Sequence, residues 1–233
     1  MLAGFYTAAS GMLLQQKSID VTSNNIANLK TPGFKTQRVA GSTFQETLVS
    51  RQEGNQRQVI GSRSPIKVLE DTPVNFDPSY LEETGRNLDL ALTSEGFFNI
   101  QGETDQYLTR NGSFEIDEEG YLVLKGAGRV LGSKGPIKVS TSEFTVDEAG
   151  VILNAKGRKI DTLLITKPAN NLDLIQFTNG LFTLNNEADN IPSNDFQVRQ
   201  RYLESANVDM NRELTQIMEA QRSLQSCSTI LKG

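Results

Sequence analysis

The feature that most limits what this chain can become is a pair of helical stripes, one at each end, around a long stretch of strand and turn. In the first stripe Phe5, Ala9, Met12, Gln16, Ile19, Ser23 and Ile26 recur at alternating spacings of four and three, with Leu2, Tyr6 and Leu13 alongside. In the last, Met210, Leu214, Ile217, Gln221, Leu224, Ser228 and Leu231 repeat the alternation. Both seams contain Gln and Ser. Stripes of matching length at opposite ends are expected to meet as one coiled-coil-like unit. The first helix is also rich in small residues (Ala3, Gly4, Thr7, Ala8, Ala9, Ser10, Gly11), which allow close approach from several directions but weaken the helix when it stands alone. Such a helix prefers crowded surroundings to solvent.

The stop signals are local. Thr31-Pro32-Gly33-Phe34 should end the first helix near Leu29, because proline drives the residue before it out of the helical region. Pro-Gly is also the favoured centre of a type II turn. Asn207 or Asp209 can cap the last helix.

Between the helices the period changes. From Lys35 to about Tyr80 Val39, Phe44, Leu48, Val59, Ile60, Ile66 and Val68 are scattered among Gly, Ser, Gln, Arg and Pro, which predicts an extended connector with short strands. From about Leu81 to Gln200 the signal is β. Leu88, Leu90 and Leu92 alternate with Asp89, Ala91 and Thr93. Asn111-Gly112 and Asn179-Gly180 each lie between apolar runs and predict hairpins with tight primed turns. Phe114, Asp117, Glu118, Gly120 and Leu122 return thirty residues later as Phe144, Asp147, Glu148, Gly150 and Ile152, a duplicated hairpin with an acidic turn closed by glycine. The expected fold class is therefore α+β: paired N- and C-terminal coiled-coil-like helices plus a central antiparallel all-β domain with an extended connector. The expected divisions are 1–34, 35–80, 81–200 and 201–233.

Composition removes most chemistry. The 233 residues include no histidine and one cysteine, Cys227, so imidazole acid/base work, His-ligated zinc, a Cys cluster and an internal disulfide framework are excluded. The acidic turns Asp117–Gly120 and Asp147–Gly150 lack the alternating oxygens of a calcium loop and read as turn chemistry. Gly126-Ala127-Gly128 precedes no helix that could hold a phosphate. Phe97-Phe98 reads as core, and Cys227 as a buried or interface thiol. No catalytic residue, cofactor, metal or small-molecule ligand is expected. The formal net charge of −5 argues against nucleic acid, and no apolar run is long enough to insert in a membrane. The first residues lack the basic and apolar regions of a cleavable signal peptide, which predicts a cytoplasmic protein or one exported by another route.

The least ordinary stretch is Ser23-Asn24-Asn25-Ile26-Ala27-Asn28. Asparagines in the last turns of a helix compete for its backbone hydrogen bonds. Either the end frays towards Pro32, or the amides bond neighbouring subunits in a packed helical array.

Asn24-Asn25-Ile26-Ala27-Asn28 with Thr31-Pro32-Gly33-Phe34-Lys35 closely resembles the N-terminal signature of flagellar basal-body rod and hook proteins. Leu88–Leu92 with Glu95–Phe98, Tyr107–Phe114, and Ser205–Asp209 with Glu219–Arg222 resemble the same family, in its order and over nearly the whole chain. The resemblance implies an axial structural protein rather than an enzyme, of the proximal- or distal-rod type. It implies export by the flagellar type III apparatus without signal cleavage, and location in the flagellar basal body. It also implies terminal helices paired in an inner tube and a β-rich domain outside them. The partners implied are copies of the chain and other rod and hook proteins. The residues expected at subunit contacts are Leu2, Phe5, Ala9, Met12, Ile19, Asn24, Asn25, Ile26 and Asn28 on the first helix. Pro32, Gly33 and Phe34 form the turn after it, and Met210, Leu214, Ile217, Gln221, Leu224 and Leu231 serve on the last helix. The rival readings are a hook-type or other coiled-coil-assembled extracellular structural protein, and an envelope enzyme that cleaves glycans with carboxylates.

Overall fold

The computed structural model describes residues 2–44, 47–53, 56–63, 66–103, 105–168, 174–177, 180–184, 190–192 and 196–232. These form two compact units: Met1–Ala27, Thr36–Asn75 and Val208–Gly233 make one, and Asn28–Lys35 with Phe76–Asn207 make the other.

The first unit holds two helices, α1 (Leu2–Ala27) and α2 (Met210–Lys232). α1 ends two residues before the expected Leu29, because Asn28 already belongs to a turn. Its carbonyl accepts the Thr31 amide at 3.0 Å and its side-chain oxygen accepts the Thr31 hydroxyl at 3.1 Å. α2 is capped by Asp209, whose carboxylate accepts the amides of Asn211 and Arg212 at 3.0 and 3.3 Å.

The connector is more regular than its sequence suggests. Ala40–Phe44 pairs with Ile66–Asp71, and Thr47–Glu53 with Gln56–Arg63, in two antiparallel two-stranded ladders. Gln37 and Val74 bridge before the first of them.

The second unit is antiparallel in every described ladder. Its main path runs Leu174–Gln176, Leu181–Leu184, Gln106–Thr109, Phe97–Gln101, Gly128–Gly132, Leu122–Leu124, Phe114–Ile116. A separate three-stranded sheet joins Phe144–Val146, Val151–Asn154 and Lys159–Thr162. Both feed one core: Phe98, Ile100, Phe114, Leu122, Val130, Phe144 and Ile152 are all buried there. Phe98 meets Phe114 edge to face at 5.3 Å.

The duplicated hairpin is present in both copies. Gly120 and Gly150 take φ of 86° and 74°, and each donates its amide to the first Asp of its turn, Asp117 or Asp147, at 3.0 Å. The Asp117 and Asp147 side chains accept the amides of Tyr121 and Val151 at 2.7 and 2.8 Å.

The two Asn-Gly pairs part company. Asn179 lies outside the described residues, but Leu174–Gln176 does pair with Leu181–Leu184 across it. Asn111-Gly112 is not a hairpin turn. Gln106–Thr109 pairs with Phe97–Gln101 and Leu181–Leu184, while Phe114–Ile116 pairs with Leu122–Leu124 at the far end of the sheet. The glycine serves a close approach instead: a β-carbon there would stand 1.6 Å from the Leu90 carbonyl oxygen. The alternation around Leu90 also fails to mark a solvent face, since Asp89, Leu90, Ala91 and Leu92 are all buried. Leu90–Leu92 is covered from both sides once Val198–Gln200 pairs with it.

Candidate assembly helices and the buried ionic cluster

α1 and α2 run antiparallel within their unit. Near one end of the pair the Cys227 sulfur lies 3.7 Å from where a β-carbon on Gly11 would stand; near the other the Asn25 amide donates to Glu213 Oε2 at 3.0 Å. The residues buried along α1 are Ala8, Val21, Thr22 and Asn25, and along α2 Glu213 and Ala220. These positions sit beside the expected stripe, and apart from Val21 they are small or polar. Met210 and Leu214, expected in the seam, are 48% and 41% exposed, and Leu13 reaches 74%. Gln221 is exposed as well, while Ala9, Met12, Ile19, Ile26, Ile217 and Leu224 are half-buried. The side chains of Leu2, Phe5 and Leu231 lie outside those described. The most buried described residues on each helix stand about one position before the expected stripe, and six members of that stripe are half-buried beside them. Short side chains permit the close backbone approach, and the polar ones find partners at that distance.

For Asn25 those partners give a third outcome, an amide used within the chain. Asn25 is 1% exposed and its amide is spent inside the chain. Besides Glu213, it donates to the Gln37 carbonyl at 2.8 Å and accepts the Gln37 amide at 3.1 Å, pairing with that residue's backbone as a strand would. Asn24 is exposed and Asn28 buried.

In the second unit, the turn after α1 leads to an arrangement that periodicity could not reveal. The Phe34 amide closes the turn on the Thr31 carbonyl at 3.2 Å, with Gly33 at φ 69° and Pro32 half-buried before it. A β-carbon on Gly33 would lie 2.3 Å from the Arg110 backbone, so only glycine fits. Phe34 and Lys35 are each 1% exposed. Lys35 Nζ lies 2.6 Å from Glu204 Oε1 and donates to the Asp77 carbonyl at 2.9 Å. Arg110 Nη1 stands 3.4 Å from the other Glu204 oxygen, its guanidinium 5.5 Å over the Phe97 ring. Phe97 in turn packs with Phe76 and Phe182 at 5.7 and 5.5 Å.

Burial is the largest influence on Lys35 and pulls its pKa below the ordinary value of 10.5, against the opposing pull of Glu204. Burial likewise lowers Arg110, with Glu204 and Glu95 opposing. The cluster is internally satisfied save for Arg110 Nε, which has no partner. No group of His, Cys, Asp or Glu suited to a metal ion occurs among the described residues.

A β unit with its own core, and a helix pair that leaves Leu13, Met210, Leu214 and Met218 exposed, have the make-up of an assembly subunit. Known families agree. Residues 5–35 match the model for flagella basal body rod protein, 91–154 the flagellar hook protein FlgE/F/G D1 domain, and 199–232 the flagellar basal body rod FlgEFG protein C-terminal region. The flagellar basal-body rod protein FlgG of Bacillus subtilis is 33% identical, over 99% of this chain and 94% of its own length. FlgF of Caulobacter vibrioides, also a flagellar basal-body rod protein, is 27% identical over 97% of this chain and 91% of its own length. The flagellar hook-basal body complex protein FlhO of Bacillus subtilis is 27% identical over 100% and 94%. The chain belongs to the flagellar basal-body rod protein family and is a structural subunit of the rod.

Proposed function

We propose that this chain polymerises through the outward faces of α1 and α2, with copies of itself and other axial proteins, into a hollow shaft that transmits torque. Supporting this is the exposure of Leu13, Met210, Leu214 and Met218 on helices whose described buried residues, apart from Val21, are small or polar. In a monomer these side chains stay about half in water or more, and burying the rest of each in a neighbour gains about 1 kcal/mol, roughly half the value for full burial. A helical polymer needs heterologous contacts, so the two helices offer two different surfaces. The contact set comprises the stripe residues Ala9, Met12, Ile19, Ile26, Ile217 and Leu224 besides those exposed. Coiled-coil-like packing forms between subunits as well as within one. The chain reaches the axial structure through the flagellar type III apparatus without signal cleavage, and acts there without catalysis, cofactor, nucleic acid or membrane insertion.

The test is Leu214→Asp in a motile strain lacking the native gene. The variant should be exported and its β unit folded, yet be absent from purified basal bodies. Normal incorporation and swimming would remove the helix face from the proposal.

A further inference from the structure

The chain passes between its two compact units after Ala27, after Lys35, after Asn75 and after Asn207. Within the β unit, the residues next to three of these passages are bonded to one another. Gly33 donates its amide to the Glu204 carbonyl at 2.7 Å, and Asn207 donates to the Phe34 carbonyl at 3.2 Å. Lys35 reaches Asp77 and Glu204. The Ser79 amide donates to Glu204 Oε1 at 3.3 Å, and its hydroxyl to the Ala206 carbonyl at 3.3 Å. The Asn207 side chain donates to the Asp77 carbonyl at 3.3 Å. Segments 31–35, 76–80 and 204–207, far apart in sequence, thus share one carboxylate. Around it are two cations, both nearly out of water, with side chains 1% and 10% exposed.

A buried ionic group is a poor way to gain stability, since an apolar set of the same volume often serves as well. Its distinctive property is direction: a charge with fixed partners holds them in one register, whereas apolar packing slides. The surrounding core is already supplied with aromatic side chains, so stability alone gives no reason for a lysine here.

We propose that Lys35, Glu204 and Arg110 form a root that fastens these three segments into one mechanical element, so that load entering the β unit along one segment is shared by all three. Lys35 and Glu204 are positioning residues in this root. Arg110 braces the carboxylate from the side of the Phe97 ring. The inference rests on the proposed torque-bearing function for its purpose, but its physical content is a coupling within the free chain.

The experiment reads three amides by hydrogen exchange on the purified full-length chain: Gly33, Ser79 and Asn207, with Ile137, bonded to Val130 in the core at 3.0 Å, as control. Lys35→Met should speed exchange at all three together by about tenfold or more while Ile137 is unchanged. A response confined to Gly33 would show independent segments and overturn the coupling. The variant Lys35→Met/Glu204→Gln/Arg110→Met separates coupling from stability, because it leaves neither a carboxylate nor a cation without its partner. Its denaturation midpoint should return towards wild type while Ser79 and Asn207 remain fast. If protection returns together with the midpoint, the cluster is only a stabilising contact and the root is wrong. In cells, the same variant should enter basal bodies normally but swim more slowly than wild type as viscosity rises. Equal swimming under load overturns the proposal, as does failure of the folded variant to enter the rod. Failure of the wild-type chain to enter basal bodies would strike the proposed function and leave the exchange result standing.

Discussion

The two units solve the burial problem in opposite ways. The β unit puts most of its described large residues inside, with Phe98, Phe114, Leu122, Ile137 and Ile152 at 0% exposure, and leaves Tyr80, Ile175 and Phe177 exposed. On the helices the described buried residues are Ala8, Val21, Thr22, Asn25, Glu213 and Ala220, while Leu13, Met210, Leu214 and Met218 are exposed. Among the described residues the larger share of exposed leucine and methionine lies on the helices. If these pack against neighbours as proposed, the helical unit gains stability on assembly and the β core does not.

The sharpest way to break this contrast is at the β core. Phe98→Ala should cost about 3–5 kcal/mol, seen as a lower urea midpoint for the β unit. A change under 1 kcal/mol would mean that the core is looser than its burial implies. In the helical unit, Glu213→Ala deprives the buried Asn25 amide of a partner and should cost about 1–3 kcal/mol in helix melting followed by circular dichroism. The loss should shrink in polymerised protein, where neighbours hold the helices. An equal loss in both states would mean that polymerisation adds nothing to helix stability.

The third prediction uses the lowered pKa of Lys35. In the folded chain this amine binds its proton more weakly than in the unfolded chain. Between its folded value and 10.5 the unfolded state therefore holds more protons, and stability from this group rises with pH across that window. The urea midpoint of wild type relative to Lys35→Met should climb as pH rises towards 10.5. A falling difference would mean that Glu204 outweighs burial. The smallest effect belongs to Leu214→Asp in the monomer: with the side chain 41% exposed, stability should change by no more than about 0.5 kcal/mol, though assembly is lost. A large loss of monomer stability would place Leu214 in the chain's own seam.

Much of the local structure was written in the sequence. The stop after Ala27 follows from the turn at Thr31–Phe34, the start of α2 from Asp209, and the acidic turns of the duplicated hairpin from their Asp and Gly. Each is decided by a few adjacent residues. Asn111-Gly112 shows the limit: the same dipeptide serves a hairpin or a close approach, and the partner strands choose. The signature Thr31–Lys35 was visible, but nothing adjacent says that Lys35 is buried against Glu204.

By itself, then, the sequence determined that there are two terminal helices, a duplicated antiparallel hairpin between them, no histidine and no pair of cysteines for an internal disulfide. Those are matters of short-range sterics, hydrogen bonding and composition. The tertiary structure decided which helix face turns inward, where Asn25 spends its amide, and how Lys35 meets a carboxylate 169 positions away. Periodicity records that a helix has an apolar stripe, yet it cannot record whether that stripe is covered by the same chain or by the next. Here the buried positions include Asn25 and Glu213, whose hydrogen bond only the meeting of the two helices could make.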